Sequence, residues 1–339
     1  SGNAGILSGR WEAAVQWIDR WGNLSPVSRR SNEISVSQSY TVGTRVPEEF
    51  QFEFYLGGIE PGPLGTIGRM VLMTKDMNNS GTSDLFQVPK DVGAAASGAF
   101  ATIPVNSAVR FPYNVPDSWL VNRPIRVRSV PAFKLCRLAF GRLWIANTVD
   151  DPGILIPSLS GRYGTYEEGS ERFPDPSGGE ILGLWNTQGG LLVFTVSSTF
   201  VITPDETGQQ FREGLLSSSV GCVAPSSIAT LSDGSIVWLG REGFYRFDGK
   251  TLGLISDEIR RVTERINPGR ARQACAGFDT KTREYRCWVP VDGSVENSLC
   301  LIYDGQGWRR RTDVTARSLC TTRDHRAYMI VAGRSTDSL

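Results

Sequence analysis

From residue 135 onward, apolar and polar positions follow one design five times over: an apolar strand, a polar turn, then a second apolar strand. The five segments are Leu135–Asn147, Leu182–Thr195, Ile228–Gly240, Ala274–Val289 and Leu319–Ala332. They begin at 135, 182, 228, 274 and 319, so the spacings are 47, 46, 46 and 45 residues. Propeller repeats run to roughly 40–50 residues, and a steady period of this size points to that architecture. The third period predicts four short strands, at 227–231, 235–240, 244–247 and 251–255. Asp233-Gly234, Glu242-Gly243 and Asp248-Gly249 separate them, and Asp-Gly pairs supply the positive φ angles that tight hairpins demand. The fourth period repeats the scheme, with Cys287–Pro290, Leu299–Tyr303 and Trp308–Arg311 and turns at Asp292-Gly293 and Asp304-Gly305. Four antiparallel strands per period make one propeller blade, and radial stacking hides most sheet edges.

The pattern therefore predicts an all-β chain with a β-propeller over 123–339. Its blades fall at 135–181, 182–227, 228–273 and 274–318, with a partial blade at 319–339. Such a ring either stays open or is completed by chain outside this segment. One helix interrupts the strands: Ile259, Val262 and Ile266 share a face, Ser256 serves as N-cap, and Asn267-Pro268-Gly269 stops it. Its other face carries Arg260, Arg261 and Arg265 and reads as solvated.

Residues 1–122 do not follow the period. Trp11–Arg29, Ile34–Gly43, Phe50–Gly57, Met70–Thr74 and Leu85–Val88 read as short strands punctuated by Gly and Pro. Five or six such strands suggest an immunoglobulin- or fibronectin-like β-sandwich. Val92–Phe100 reads as flexible, and Asn122-Arg123-Pro124 as the link into the propeller.

Composition sharpens this picture by exclusion. Lys and Arg number 36 against 35 Asp and Glu, a net charge of +1, which argues against coating nucleic acid or an anionic membrane. The 37 glycines of 339 residues fit many tight turns. His325 is the only histidine, so a His-rich metal site is impossible, and it lies between two apolar runs where a polar turn is expected. The six cysteines (Cys136, Cys222, Cys275, Cys287, Cys300 and Cys320) form no C-x-x-C pair, and most read as small buried hydrophobes in a chain assembled under reducing conditions. No P-loop or dinucleotide fingerprint is present, and runs such as Leu191–Phe194 are too short to span a bilayer. The start, Ser1-Gly2-Asn3, reads as the ordered part of a longer chain or a trimmed product.

Several runs together resemble the tail nozzle (tail tubular) proteins of podovirus-type phages, in which a fibronectin-like module feeds a β-propeller. The run Ala14–Pro26, ending in Gly22-Asn23-Leu24-Ser25-Pro26, resembles the opening of that family's sandwich, and Pro116–Leu120 loosely matches its exit. Gly141–Asn147 followed by Asp151-Pro152 is similar to its first propeller strand. Gly221–Ile228 and Glu242–Gly249 match its G-C-x-A-P-x-S and G-x-Y-x-x-D-G runs. The family's N-terminal platform, which precedes the sandwich, is missing. The resemblance implies a non-enzymatic virion protein, assembled in the host cytoplasm into a homo-oligomeric, sixfold tail ring. The ring would meet portal-adaptor and tail fibre or spike proteins and pass genomic DNA during ejection. It implies no cofactor, metal or catalytic residue.

The densest basic runs are Arg309-Arg310-Arg311 and Arg123, Arg126 and Arg128, candidates for a subunit interface or a DNA-facing wall. Successive strand residues alternate faces, so the three consecutive arginines cannot all meet one partner. The alternative function is a carbohydrate-binding or carbohydrate-cleaving propeller of a receptor-binding tail or secreted protein. Ser232-Asp233-Gly234-Ser235 loosely resembles the Asp-box turn of sialidase propellers, but nothing pairs carboxylates such as Asp205, Glu206 and Glu213 across a mouth. Trp144, Trp185, Trp238 and Trp288 fall on strands, where core packing is the default.

Overall fold

The computed structural model describes residues 9–36, 54–56, 58–59, 61–89, 102–103, 111–113, 117–208, 210–312, 315–321 and 327–330. His325, the stretch 92–100 and most of the predicted strands over 34–43 and 50–57 lie outside the described residues. Chain contacts divide the molecule into two units, Ser1–Val130 with Ser158–Ser170, and Pro131–Pro157 with Glu171–Leu339. The division thus falls at Val130–Pro131, whereas the sequence reading places the join after 122.

The first unit contains strands β1 (Gly9–Trp11), β2 (Ala13–Asp19), β3 (Ile34–Val36), β4 (Phe54–Leu56) and β5 (Thr66–Thr74), a single helical turn α1 (Met77–Ser80), then β6 (Leu85–Gln87), β7 (Thr102–Ile103), β8 (Phe111–Tyr113) and β9 (Val127–Arg128). Its main sheet has the order β2-β5-β6, with β7 also on β5, and β1-β3 and β4-β8 form separate pairs. Both faces of β5 are covered. Val71 and Met73 pack with Trp11, Phe86 and Ile103, while Met70 and Leu72 pack with Ala14, Leu24 and Val127. This accounts for the uninterrupted apolar run Met70–Met73 in place of an alternation.

The edge of β2 is sealed by a segment that is not a strand. The amides of Ser25, Ser28 and Ser31 donate to the carbonyls of Trp17, Val15 and Ala13 at 3.0, 2.8 and 2.7 Å. The hydroxyls of the same three serines accept from the amides of Trp17, Val15 and Ala13, each at 2.9 Å. A side-chain oxygen therefore replaces the carbonyl that a neighbouring strand would offer, and both edge groups at each of these β2 residues are satisfied. Gln16, buried in the same sheet, ties it to Ser25 and Ile125 through two carbonyl contacts.

In the second unit β10 (Phe133–Ala139), β11 (Arg142–Thr148) and the start of β12 (Leu155–Leu159) pair antiparallel as the first blade; in the first unit the end of β12 pairs with β13 (Arg162–Glu167), and β13 with β9. Residues Ser158–Ser170 are counted with the first unit because β13 pairs with β9 and the Leu24 amide donates to Thr165 at 2.8 Å. The second blade is β14 (Gly183–Thr187), β15 (Gly190–Phe194), β16 (Thr199–Pro204) and β17 (Phe211–Ser217). The third is β18 (Ala229–Thr230), β19 (Ile236–Leu239), β20 (Phe244–Phe247) and β21 (Leu252–Leu254). A short helix α2 (Arg260–Thr263) leads to the fourth, β22 (Cys275–Asp279), β23 (Glu284–Val289), β24 (Leu299–Tyr303) and β25 (Trp308–Arg311), and β26 (Ser318–Thr321) pairs with β27 (Ala327–Ile330). The fold is all-β and β-propeller-like, with inner strands beginning at 133, 183, 229, 275 and 318.

Each blade is apolar on both faces, and consecutive blades share cores. Trp144, Ala146 and Leu155 meet Leu191, Val193 and Phe211; Leu192 and Phe194 meet Ile236 and Trp238; Val237 and Phe244 meet Tyr285, Val289 and Leu301. Alternation along each second strand sends neighbouring side chains to opposite blades, which is why β15 and β19 read as continuous apolar runs. Trp144 and Trp238 are fully buried, with indole N–H groups donating to Ala139 and Gly221 carbonyls, each at 3.1 Å.

Polar bonds fix how one blade follows another. Each crossover is tied back to the turn after the second strand of the blade it leaves or, at the third blade, to the first residue of the strand after that turn. Ile181 donates to the Pro152 carbonyl at 2.9 Å while Asn147 donates to the Ile181 carbonyl at 2.9 Å; Cys222 donates to Thr195 at 2.9 Å; Asn297 donates to Ala316 at 2.8 Å. At the third blade the tie is Ser256, whose hydroxyl accepts from the Phe244 amide at 2.9 Å. Ser256 stands at the N-cap position that the sequence predicts, with Asp257 and Glu258 in the first turn, but its hydroxyl makes no cap hydrogen bond and serves the sheet instead. The helix is shorter than its apolar pattern, with Asp257–Ile259 forming a 3-10 turn ahead of α2.

Replacing Trp238 by Ala is expected to cost about 3–5 kcal/mol of unfolding free energy. Ser256→Ala, which strands a buried amide, should cost about 1–3 kcal/mol. Denaturant titration checks both, and an unchanged midpoint for Ser256→Ala would show that the crossover ties carry no stability.

Candidate functional site

The six arginines singled out by sequence fall on two separate structural elements. In the first unit Arg123 pairs with Asp84 at 2.7 Å and lies over the Phe86 ring, which Lys75 also approaches. Arg126 is exposed, and Arg128 sits on β9 opposite Tyr166. Arg123 and Arg126 line a groove of about 390 Å³ with Arg30, Asp84 and Glu168 around an apolar floor of Pro26, Val27 and Leu85. Arg30 is held by Glu12 at 2.7 Å. Sequence reasoning missed Arg30 and Glu168 because the groove gathers residues far apart in the chain.

In the second unit Arg309, Arg310 and Arg311 form most of β25 and alternate as the strand period requires. Arg309 pairs with Glu284 and lies 4.0 Å from Asp304; Glu284 also takes Arg286. Burial works against the charged form of Glu284, but hydrogen bonds from Arg286, Arg309 and Thr282 outweigh it and hold the carboxyl below its usual range. The basic run is thus partly neutralised within its own blade.

A second charged cluster was not anticipated. Glu180, in the crossover to the second blade, accepts from Asn147 Nδ2 at 2.8 Å, and lies 3.5 Å from Arg272 and 3.7 Å from Lys134. The Asn147 hydrogen bond is the main reason its carboxyl is held low, with Arg272 and Lys134 adding to it against partial burial. Arg272 belongs to the crossover into the fourth blade, so this contact joins the leads to blades two and four. Glu180 and Arg272 are 92 positions apart, and no local motif announces the pair.

Of the carboxylates weighed for catalysis, Asp205 and Glu213 make local structural contacts. Asp233 accepts from the Ser235 amide at 2.9 Å and pairs with Arg246, so the Asp-box-like run is a hairpin turn. Asp205 accepts from Thr207 at 2.9 Å and from Gln210 at 3.2 Å, and Glu213 pairs with Arg172 at 2.9 Å. Among the described residues no group of three or more His, Cys, Asp or Glu could hold a metal ion. A small cleft of about 130 Å³ between the third and fourth blades is lined by Asp233, Arg246, Phe278, Arg283, Tyr303 and Asp304.

Cys136, Cys222, Cys275, Cys287 and Cys300 are free thiols. Cys222, Cys275, Cys287 and Cys300 are buried, whereas Cys136 is exposed on β10. Burial pushes the Cys222 thiol up to about 12 and that of Cys275 to about 11, with Cys287 also well above its ordinary value.

No family model matches the chain, and no curated protein matches it. Among solved structures it is similar to the extracellular domain of a one-component system of B. thetaiotaomicron, at 12% identity and TM-score 0.30, over 96% of this chain and 47% of that one. A structure described as the extracellular domain of a hybrid two-component system from the same organism gives 10% identity and TM-score 0.31, over 94% and 50%. An arginine-to-alanine triple mutant of AofleA from Arthrobotrys oligospora gives 12% identity and TM-score 0.33, over 83% of each chain. The chain spans about half the length of the first two. Likenesses this distant carry no argument about function.

Two outcomes follow from the titratable groups. Thiol alkylation of the native protein at pH 8, read by mass spectrometry, should modify Cys136 and spare Cys222, Cys275 and Cys287 until denaturant is added. Glu180, Asp233, Asp279 and Glu284 are all held below their ordinary values. Their stabilisation is complete above the unfolded carboxylate range of about 3.9–4.3 and is lost as pH falls through the lowered folded values. The melting temperature should therefore drop below about pH 4, and Glu284→Gln should make that drop shallower.

Proposed function

We propose that this chain is a structural subunit of a phage tail nozzle, a homo-oligomeric ring of the virion tail that conducts the genome during ejection. The observation that carries the reading is where the resembling runs lie. Ser25 begins the seal along β2, Asn147 and Asp151-Pro152 hold the crossover into the second blade, Gly221–Ile228 is the crossover into the third, and Asp248-Gly249 closes a hairpin. These positions stitch a scaffold together.

The Glu180–Arg272 contact supports a conduit built between copies and not along the axis of one propeller. Side chains from the leads to blades two and four meet at 3.5 Å there, whereas the major groove of a DNA duplex alone is about 12 Å wide. In this reading portal-adaptor and tail fibre or spike proteins are the neighbours, and DNA is a passing contact. A carbohydrate-binding propeller is the second reading, and the cleft between blades three and four favours it, with Tyr303 and Phe278 beside Arg283 and Asp304.

Negative-stain imaging with light scattering separates the two. Sixfold rings support the nozzle, and a monomer at every concentration overturns it. Glycan binding that is lost in Arg283→Ala, with the melting temperature unchanged, would establish the second reading.

A further inference from the structure

Four described residues other than glycine have a positive φ: Phe140, Asn147, Arg283 and Asp292. A side chain with a Cβ is disfavoured in that region, so such a position calls for a compensating contact. Three of them have one. The Phe140 ring lies 5.7 Å from that of Phe211, Asn147 donates to the Ile181 carbonyl at 2.9 Å, and Asp292 pairs with Arg265. Arg283 differs: among the described residues no hydrogen bond or ion pair engages its guanidinium.

Its place in the blade sharpens the contrast. The first hairpins of blades one, two and three carry glycine just ahead of the second strand, Gly141 at φ 67°, Gly189 at φ 80° and Gly234 at φ 81°. Blade four carries Arg283 there, at φ 56°. The turn itself does not require an arginine, since Asp279 holds it by accepting from the amides of Lys281 and Thr282 at 3.0 and 3.3 Å. Backbone strain of this kind clusters at binding sites.

Arg283 lines the cleft of about 130 Å³ between blades three and four. The other cation there, Arg246, is taken by Asp233. Asp304 turns one carboxylate oxygen to the amides of Gln306 and Gly307, each at 3.0 Å, and keeps the other 4.0 Å from Arg309. That second oxygen can still accept a hydroxyl, Ser232 is exposed beside it in the lining, and Phe278 supplies an apolar wall.

We infer that this cleft takes the carboxylate of an acidic sugar, a uronate, with Arg283 as its anion-binding residue. A planar guanidinium matches a carboxylate at two points. A phosphate monoester carries nearly two negative charges at pH 7 and would face both Asp233 and Asp304, so a singly charged ligand is favoured. Hydroxyls on the ligand meet the acceptor on Asp304 and the Ser232 side chain. The volume lies far below the roughly 300–1,000 Å³ of sites for drug-sized ligands, so it admits one ring and not a chain. The inference deepens the carbohydrate reading of this cleft and rests on it.

Calorimetric titration with galacturonate, galactose and acetate tests it. Galacturonate differs from galactose by its carboxylate and from acetate by its hydroxylated ring. It should bind at least about tenfold tighter than either, the factor a charge-assisted hydrogen bond supplies. Arg283→Gly should abolish that preference and leave the melting temperature unchanged or higher, because glycine adopts the left-handed conformation freely. Arg283→Lys keeps the charge and loses the fork, and should bind in between. Lys281→Ala, on the same hairpin but outside the lining, should bind as the parent does. Equal affinity for galactose and galacturonate, lost in Arg283→Gly, overturns the acidic assignment and leaves the carbohydrate reading standing. Acetate as tight as galacturonate overturns the sugar, and no binding of any of the three overturns the inference together with that reading. Equal losses in Lys281→Ala and Arg283→Gly show a diffuse charge effect and overturn the site. If Arg283→Gly melts early, Arg283→Lys set against Lys281→Ala still decides.

Discussion

The second unit depends on one recurring constraint: a crossover must be held to the blade it leaves before the next blade can be placed. A blade is apolar on both faces, and apolar contact alone tolerates sliding. Hydrogen bonds do not, because a buried amide or carbonyl displaced from its partner loses its full hydration without compensation. Ile181, Cys222, Ser256 and Ala316 take part in such ties in four successive blades, through three kinds of donor–acceptor pair. Two are backbone to backbone, one uses a serine hydroxyl, and two use asparagine amides. The position is kept while the residue varies, as expected if geometry and not side-chain identity is what the architecture requires.

The aromatic residues act on the same junctions. Trp144 packs edge-on against Phe211 at 4.9 Å, and Trp238 against Phe194 at 5.0 Å, so each indole bridges two blades while its N–H reaches a backbone carbonyl. Tyr285 does the equivalent one junction later, donating to the Ser227 carbonyl at 2.8 Å from a fully buried position. Burial disfavours its ionised form, which also keeps that donor in place at alkaline pH. Directional bonds inside the apolar cores are what turn face-to-face packing into a single angle between blades.

Much of this was legible in the chain. Hairpins at Asp233-Gly234 and Asp248-Gly249 are written locally, and the predicted strands of the third blade lie within two residues of β18–β21. The period is visible because each blade repeats the same local decisions. What could not be read is whatever depends on distant residues. Glu180 and Arg272 meet only after two blades have been stacked, and the Ser256 hydroxyl, at its N-cap position, serves the Phe244 amide 12 positions away and not the helix. The groove around Arg126 collects positions from 26 to 168. The seal along β2 escaped for a different reason: its spacing is three, a period that belongs neither to a β-strand nor to an α-helix.

That spacing makes the segment a vernier. Ser25, Ser28 and Ser31 advance by three while Trp17, Val15 and Ala13 advance by two. A single residue inserted between Pro26 and Val27 would carry the next two serines out of phase together, because no neighbouring hydroxyl stands ready to replace either. Insertion of a whole triplet would restore the phase, but only alongside two further residues of β2. Changes of length along this edge are therefore expected to arise in coupled steps of three and two, a signature that relatives of this chain would carry in their gaps and not in their conserved letters.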